Sequence, residues 1–181
     1  MENKIISVVS GGFDPIHPGH IMMMKECLEF SNFLIVGVNS NKWLIDKKGN
    51  FFMDIQHRMY VVDSLKVVNE AMEFEDDEMG SANNLLIQVR NKYPNEKIIF
   101  ANGGDRSDTS KILEYETAKE YNIELKFGVG GNHKESSSSD LLKRWSKYSK
   151  IEFWEDMPHR IHKREVFEFK DNDWVSYTLS P

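Results

Sequence analysis

The sequence predicts an α/β fold, a parallel sheet covered by helices, on three observations. Short apolar, β-branched runs alternate with helix-like segments along most of the chain. The first run passes directly into a glycine pair and then into a helix start. Three polar loops follow strand-like runs, and beyond such strand ends an open parallel sheet collects its ligands.

The chain has 181 residues, enough for one α/β domain with a real core and an appendage. Hydrophobic residues make up 40% and charged residues 29%, the balance of a soluble globular protein. The net charge of −6 argues against a general nucleic-acid binder. It does not argue against a nucleotide, because local positive groups decide that. Cys27 is the only cysteine, so no intrachain disulfide forms. On the first helix it is expected to be a buried small hydrophobe, and a reducing cytoplasm fits. No run is long enough to span a membrane, and there is no signal-peptide pattern or internal repeat. The low-complexity patch is the serine run 136–139.

Ile5, Ile6, Val8 and Val9 form the first strand-like run. Residues 21–30 read as a helix packed on the sheet, and 33–38 as the second strand. A turn or short helix over 39–45 leads to a polar loop, 46–52, carrying Lys47, Lys48 and Gly49. Asp54 caps a helix running to about residue 65. Residues 67–74 contain a third strand, broken at Asn69-Glu70, and 73–78 is an acidic, solvated loop. A helix over 81–92 ends before Pro94. Then come a strand at 97–101, a helix at 110–121, a strand at 123–127, and a helix from the serine run through Trp145. Beyond it, 151–154, 164–169 and 174–177 look strand-like, with a turn at Asp171-Asn172-Asp173. The expected division is therefore a main domain over 1–150 and a short β-rich extension over 151–181.

The most informative stretch is Gly11-Gly12-Phe13-Asp14-Pro15-Ile16-His17-Pro18-Gly19-His20. Two glycines let backbone approach a ligand closely. Pro18 suits a first helical turn, where its missing N–H costs nothing. Free N–H groups and the positive end of the helix dipole favour an anion there. His17 and His20, three apart, share a helix face and can both donate to phosphate oxygens. Such donors help most if those oxygens gain charge during reaction. The plainer alternatives are a capping cluster and a metal site, but no third and fourth ligand stands nearby.

As a unit, Gly-x-Phe-Asp-x-x-His-x-Gly-His resembles the signature of the HxGH nucleotidyltransferases, a superfamily of cytidylyltransferases and adenylyltransferases. The resemblance covers about residues 4–145. It implies a Rossmann-like, three-layer fold and transfer of a nucleoside monophosphate from a nucleoside triphosphate, with release of pyrophosphate. It also implies a magnesium ion bound with the triphosphate, and histidines that stabilise the transition state with no covalent intermediate. By that match Gly11, Gly12, Phe13 and Asp14 belong to the nucleotide site, and His17 and His20 are catalytic.

Three further clusters match. Lys47 and Lys48 precede a helix carrying Gln56-His57-Arg58, as a lysine loop precedes Glu-His-Arg in cytidylyltransferases. Arg58 would contact phosphates or orient the loop. Lys48 or Lys47 would neutralise the triphosphate or the acceptor phosphate, and Lys48 is taken with Arg58 as catalytic. Gly103-Gly104-Asp105-Arg106 resembles the family's Gly-Asp turn at the nucleotide, with Asp105 bonding the ribose or the acceptor. Ser137, Ser138 and Ser139 resemble the serine/threonine motif at a helix start, where hydroxyls and free N–H groups cradle phosphates. Read plainly, these clusters are surface charges, a capped strand–helix turn and a serine linker.

One departure stands out. Cytidylyltransferases place Arg-Thr-Glu-Gly before the serines, whereas this chain has Asn132-His133-Lys134-Glu135. Lys134 or His133 would supply the charge, without arginine's planar fork. The Gly-Gly-Asp turn and the Lys…Arg spacing favour CTP and a small phosphorylated alcohol or sugar; ATP is the alternative. A regulatory module that binds nucleotide without catalysis is a rival from another class. A dinucleotide-dependent dehydrogenase would want Gly-x-Gly-x-x-Gly after the first strand, where His17 to His20 stand instead. The expected partners are the triphosphate and the phosphorylated acceptor, with no nucleic acid, no membrane span and no protein-bound metal. A homodimer is implied by the resemblance alone.

Overall fold

A computed structural model describes residues 4–103, 112–130, 137–145, 150–156, 162–170 and 173–179. The chain forms two compact units, 1–138 and 139–181. The second begins one residue into the helix that follows the serine run.

The first unit is built on five parallel strands: β1 (Ile5–Gly11), β2 (Phe33–Val38), β3 (Glu70–Glu73), β4 (Lys97–Gly103) and β5 (Glu124–Val129). Their order in the sheet is β3-β2-β1-β4-β5. Val8 of β1 pairs with Ile35 of β2 on one side and Phe100 of β4 on the other. Helices α1 (Pro18–Phe30), α2 (Asn41–Lys48), α3 (Ile55–Asp63), α4 (Asn83–Lys92) and α5 (Tyr115–Glu120) connect the strands.

Both faces of the sheet are covered, which is why its central strands read as continuous apolar runs. Ile6, Val8, Ile35 and Phe100 pack against Leu85, Leu86 and Val89 of α4 and Ala118 of α5. Val9, Leu34, Val36 and Ala101 pack against Met24 and Cys27 of α1 and Val62 of α3. The expected α/β, three-layer, Rossmann-like architecture is present. Cys27 is buried, and burial pushes its thiol up to about 12, as befits an inert apolar side chain.

Strand order reverses between β1 and β4, since β2 and β3 extend to one side and β5 to the other. That is the switch point, where the two neighbouring loops part and leave a crevice beyond the strand ends.

Three expectations are corrected. Lys47 and Lys48 form the last turn of α2 rather than a polar loop; Gly49, at φ 86°, closes the helix in the left-handed conformation. The acidic stretch 73–78 is tied down: Phe74 is buried, and Asp76 accepts a hydrogen bond from the Ser40 hydroxyl. Asp77 accepts from the Ser81 N–H at 2.7 Å and so holds the entry to α4. Among the described residues helix α5 has six, Tyr115–Glu120; of the expected 110–121, residues 112–114 are not helical and 110–111 lie outside the described residues.

Helix α6 (Ser138–Trp145) has its first residue in the first unit and the rest in the second, which also carries an antiparallel sheet of β6 (Lys150–Asp156), β7 (His162–Lys170) and β8 (Asp173–Leu179), ordered β6-β7-β8. This is the expected β-rich extension, with longer strands. Among the described residues no helix is long and apolar enough to cross a membrane.

Candidate active site

The crevice at the switch point is a cleft of about 350 Å³. Its lining includes Gly11, Gly12 and Phe13 after β1, His20 of α1, Asn39 after β2, Trp43, Lys47 and Lys48 of α2, and Asn102 and Gly103 of β4.

The two histidines are held by the helix they begin. His17 is the N-cap of α1, and its Nδ1 accepts a hydrogen bond from the Gly19 N–H at 3.2 Å. The Nδ1 of His20 accepts from the His17 N–H at 3.3 Å, which completes a capping box. The capping alternative is therefore realised, and it leaves the other ring nitrogen to do something else. With Nδ1 accepting, a neutral imidazole carries its proton on Nε2. The rings stack, centroids 3.7 Å apart and tilted by 31°. Burial, the neighbouring His17 and Lys48 together lower His20 to about 4. Burial and Lys48 also lower His17. Near pH 7 the site thus presents two uncharged imidazoles, each a donor through Nε2.

The charge of Lys48 acts on both histidines. Its Nζ donates to the Asp14 carbonyl at 3.4 Å. Burial lowers its pKa, Arg58 adds to that, and Asp14 opposes it. The Nζ of Lys47 sits 4.2 Å from the centre of the Trp43 ring. Both lysines line the cleft.

Arg58 does not reach the cleft. It is fully buried on α3, and its guanidinium donates to the carbonyls of Met53 (2.9 Å), Gly12 (2.8 Å) and Asn39 (2.7 Å) and to Asn41 Oδ1 (2.8 Å). Of its two expected roles, the structure supports orienting the loops over contacting phosphate. Asp14 is likewise engaged by the backbone. Its carboxylate accepts from the Phe52 N–H at 2.6 Å and the Met53 N–H at 2.8 Å, clamping the segment before α3.

The glycines line the cleft, but packing demands them as well. A Cβ on Gly12 would stand 2.6 Å from Leu44 Cδ2, and one on Gly11 would stand 3.1 Å from the Phe13 ring. Phe13 adopts φ 48°, an unfavourable value for a residue with a side chain, and buries its ring edge-on to His20. It holds His20 in place.

Ser138, buried at the start of α6, donates to the Pro15 carbonyl at 2.8 Å and so stands beside the histidine loop. Ser137 is half-buried and Ser139 exposed. Gly104, Asp105, Arg106 and Lys134 lie outside the described residues.

Sequence reading missed several lining residues. Trp43 walls the cleft, its indole N–H donating to the Gly80 carbonyl at 2.9 Å. Asn39 and Asn102 end strands at the crevice, a position that marks them in hindsight. Glu114 also lines the cleft, and no local signal identifies it.

A parallel sheet with its crevice at the switch point, lined by a glycine turn, the His20 imidazole with His17 stacked against it, and two lysines, has the form of a nucleotide-handling α/β protein. Residues 8–144 match the family described as cytidylyltransferase-like, and the chain belongs to that family of nucleotidyltransferases. Residues 147–181 match the pyridoxine 5'-phosphate oxidase C-terminal dimerisation region. The FAD synthase of Thermococcus sibiricus is 30% identical over 126 residues, which is 68% of this chain and 80% of that protein. The bifunctional protein HldE of Haemophilus influenzae is 31% identical over 122 residues, or 61% of this chain, which spans 25% of HldE. In fold, the chain is similar to a putative nicotinate-nucleotide adenylyltransferase from Vibrio parahaemolyticus. The TM-score is 0.56 and the identity 16%, over 80% of this chain and 88% of that one.

Proposed function

We propose that the protein transfers a nucleoside monophosphate from a nucleoside triphosphate to a small phosphorylated acceptor. An oxygen of the acceptor phosphate forms a bond to the α-phosphorus, the bond to the bridging oxygen breaks in line, and pyrophosphate leaves. The acceptor phosphate is already ionised, so no general base is needed. The single observation that carries this reading is the pair of stacked, neutral imidazoles at the start of α1 with Lys48 beside them. Their Nε2 donors suit charge that grows on phosphate oxygens, and the lysine neutralises it. Arg58 and Asp14 act behind them by holding the loops.

The base is the next question. Similarity to a FAD synthase supports AMP transfer from ATP. The Gly-Gly-Asp turn supports CMP transfer from CTP. The Lys…Arg spacing loses weight, because Arg58 is buried beneath the site. ATP is therefore the donor to test first and CTP the second.

Magnesium is proposed as a companion of the triphosphate. Among the described residues no cluster of three or more His, Cys, Asp or Glu could hold an ion, and the Asp14 carboxylate already accepts two N–H groups. The ion would neutralise phosphate charge when bound.

A homodimer is proposed through the second unit, supported by the dimerisation-region match and by exposed Val175 and Tyr177 on edge strand β8. Light scattering should give twice the chain mass, and Val175→Glu should lower it; a wild-type monomer sinks the idea.

The functional test is pyrophosphate release from ATP or CTP with magnesium and a pool of phosphorylated alcohols and sugars. Release that requires an acceptor supports the reading. Tight nucleotide binding without release for any acceptor would favour a regulatory module instead.

A further inference from the structure

One carboxylate in the cleft has no task in the reaction described above. Glu114, just before α5, is 6% exposed and lines the cleft. Its Oε1 accepts from the Ala82 N–H at 2.8 Å, at the start of α4, where the capping residue has no side-chain acceptor of its own. Its Oε2 is buried without a hydrogen-bond partner among the described residues. Asn102, at the end of β4, lines the same cleft, and its Nδ2 has no partner among the described residues either. The other unpartnered buried side-chain atoms among the described residues, on Asp76 and Asn83, do not line this cleft.

A buried acceptor and a buried donor left unpaired are costly, and at a binding cleft the missing partner is expected to be the ligand. The pair also narrows the ligand's chemistry. A phosphate only accepts hydrogen bonds, and a carboxylate repels it. A hydroxyl donates and accepts at once.

We infer that Glu114 Oε2 and Asn102 Nδ2 together bind a hydroxyl-bearing, uncharged part of a substrate, which makes Glu114 a specificity-determining residue. The hydroxyl donates to the carboxylate and accepts from the amide. Resting on the nucleotidyl-transfer reading, the inference narrows it: one substrate presents a hydroxyl or vicinal diol here. Two substrates can supply that group, the ribose of the nucleotide or a polyhydroxylated acceptor.

The test is equilibrium binding by calorimetry, which needs no turnover. In one arm ATP and CTP are compared with their 2′-deoxy and 3′-deoxy forms. In the other, with a non-hydrolysable triphosphate present, glycerol 3-phosphate is compared with 3-hydroxypropyl phosphate. Wild-type protein should prefer the hydroxylated probe by about tenfold or more in one arm, because a charge-assisted hydrogen bond is lost in the deoxy form. Glu114→Gln keeps an oxygen for the Ala82 N–H and neutralises the other position. It should unfold at the wild-type temperature and lose most of that preference. The arm that responds names the source of the hydroxyl. No preference in either arm, or a preference that survives in Glu114→Gln, overturns the assignment. Absence of binding by any triphosphate overturns it together with the proposed function. Nucleotide binding with an unaltered preference overturns the role of Glu114 alone.

Discussion

His20 accepts a hydrogen bond on Nδ1 from the backbone N–H of His17, 3.3 Å away, and this contact ties helix capping to chemistry. The same bond that closes the start of α1 fixes the tautomer that turns an Nε2–H outward.

Capping and catalysis are separable at His17. Asparagine has a side-chain acceptor for the Gly19 N–H but no counterpart of Nε2. His17→Asn should therefore keep wild-type thermal stability, while His17→Ala loses about 1 kcal/mol. Both should lower turnover by roughly 100-fold, the scale of one lost charge-stabilising donor. Near-normal turnover in the asparagine variant would leave His17 as a cap only.

Arg58 makes the opposite prediction. Its four hydrogen bonds join the segments just after β1 and β2, the start of α2 and the entry to α3 from a fully buried position. Arg58→Ala should cost about 3–5 kcal/mol in urea unfolding, since it leaves buried carbonyls unpaired. Lost activity with an unchanged unfolding midpoint would instead restore a direct catalytic role.

The two lysines should separate in kinetics. Lys48 perturbs both imidazoles, whereas Lys47 sits over Trp43. Lys48→Ala should lower kcat/KM by about 100-fold and Lys47→Ala by about tenfold or less, the latter mostly in KM. Equal losses would argue that both act on the phosphates.

His20 also makes stability depend on pH. Its folded value of about 4 lies below the ordinary 6.5, so between these values the unfolded chain binds more protons. Stability is then full above pH 6.5 and falls as pH drops toward 4. The loss attributable to His20 is at most about 3 kcal/mol. His20→Asn should flatten that part of the profile; an unchanged acid limb would mean that other groups carry it.

Much of the fold was legible. β1, β2 and β4 are buried on both faces, so their β-branched runs stood out, and Asp54 capped α3 as read. Helix α2 was cut short because Lys47-Lys48-Gly49 resembles a loop, although a glycine after basic residues is also a helix stop. The acidic stretch misled because its order comes from Ser40, more than thirty positions away. At the site, the histidines were visible as a local motif. Glu114 was not, since its partner Ala82 lies 32 residues back and only tertiary packing joins them. Arg58 was found by its spacing, but spacing cannot reveal that a guanidinium is enclosed by carbonyls.

The central claim is that the paired imidazoles of His17 and His20 promote nucleotidyl transfer in this cleft. Mass spectrometry of the products from triphosphate, magnesium and a phosphorylated acceptor pool tests it most directly. The predicted result is a nucleoside diphosphate-linked product, formed with one pyrophosphate each and reduced about 100-fold in His20→Ala. A linked product formed equally fast by His20→Ala, or no linked product from any triphosphate with the wild-type protein, would contradict it.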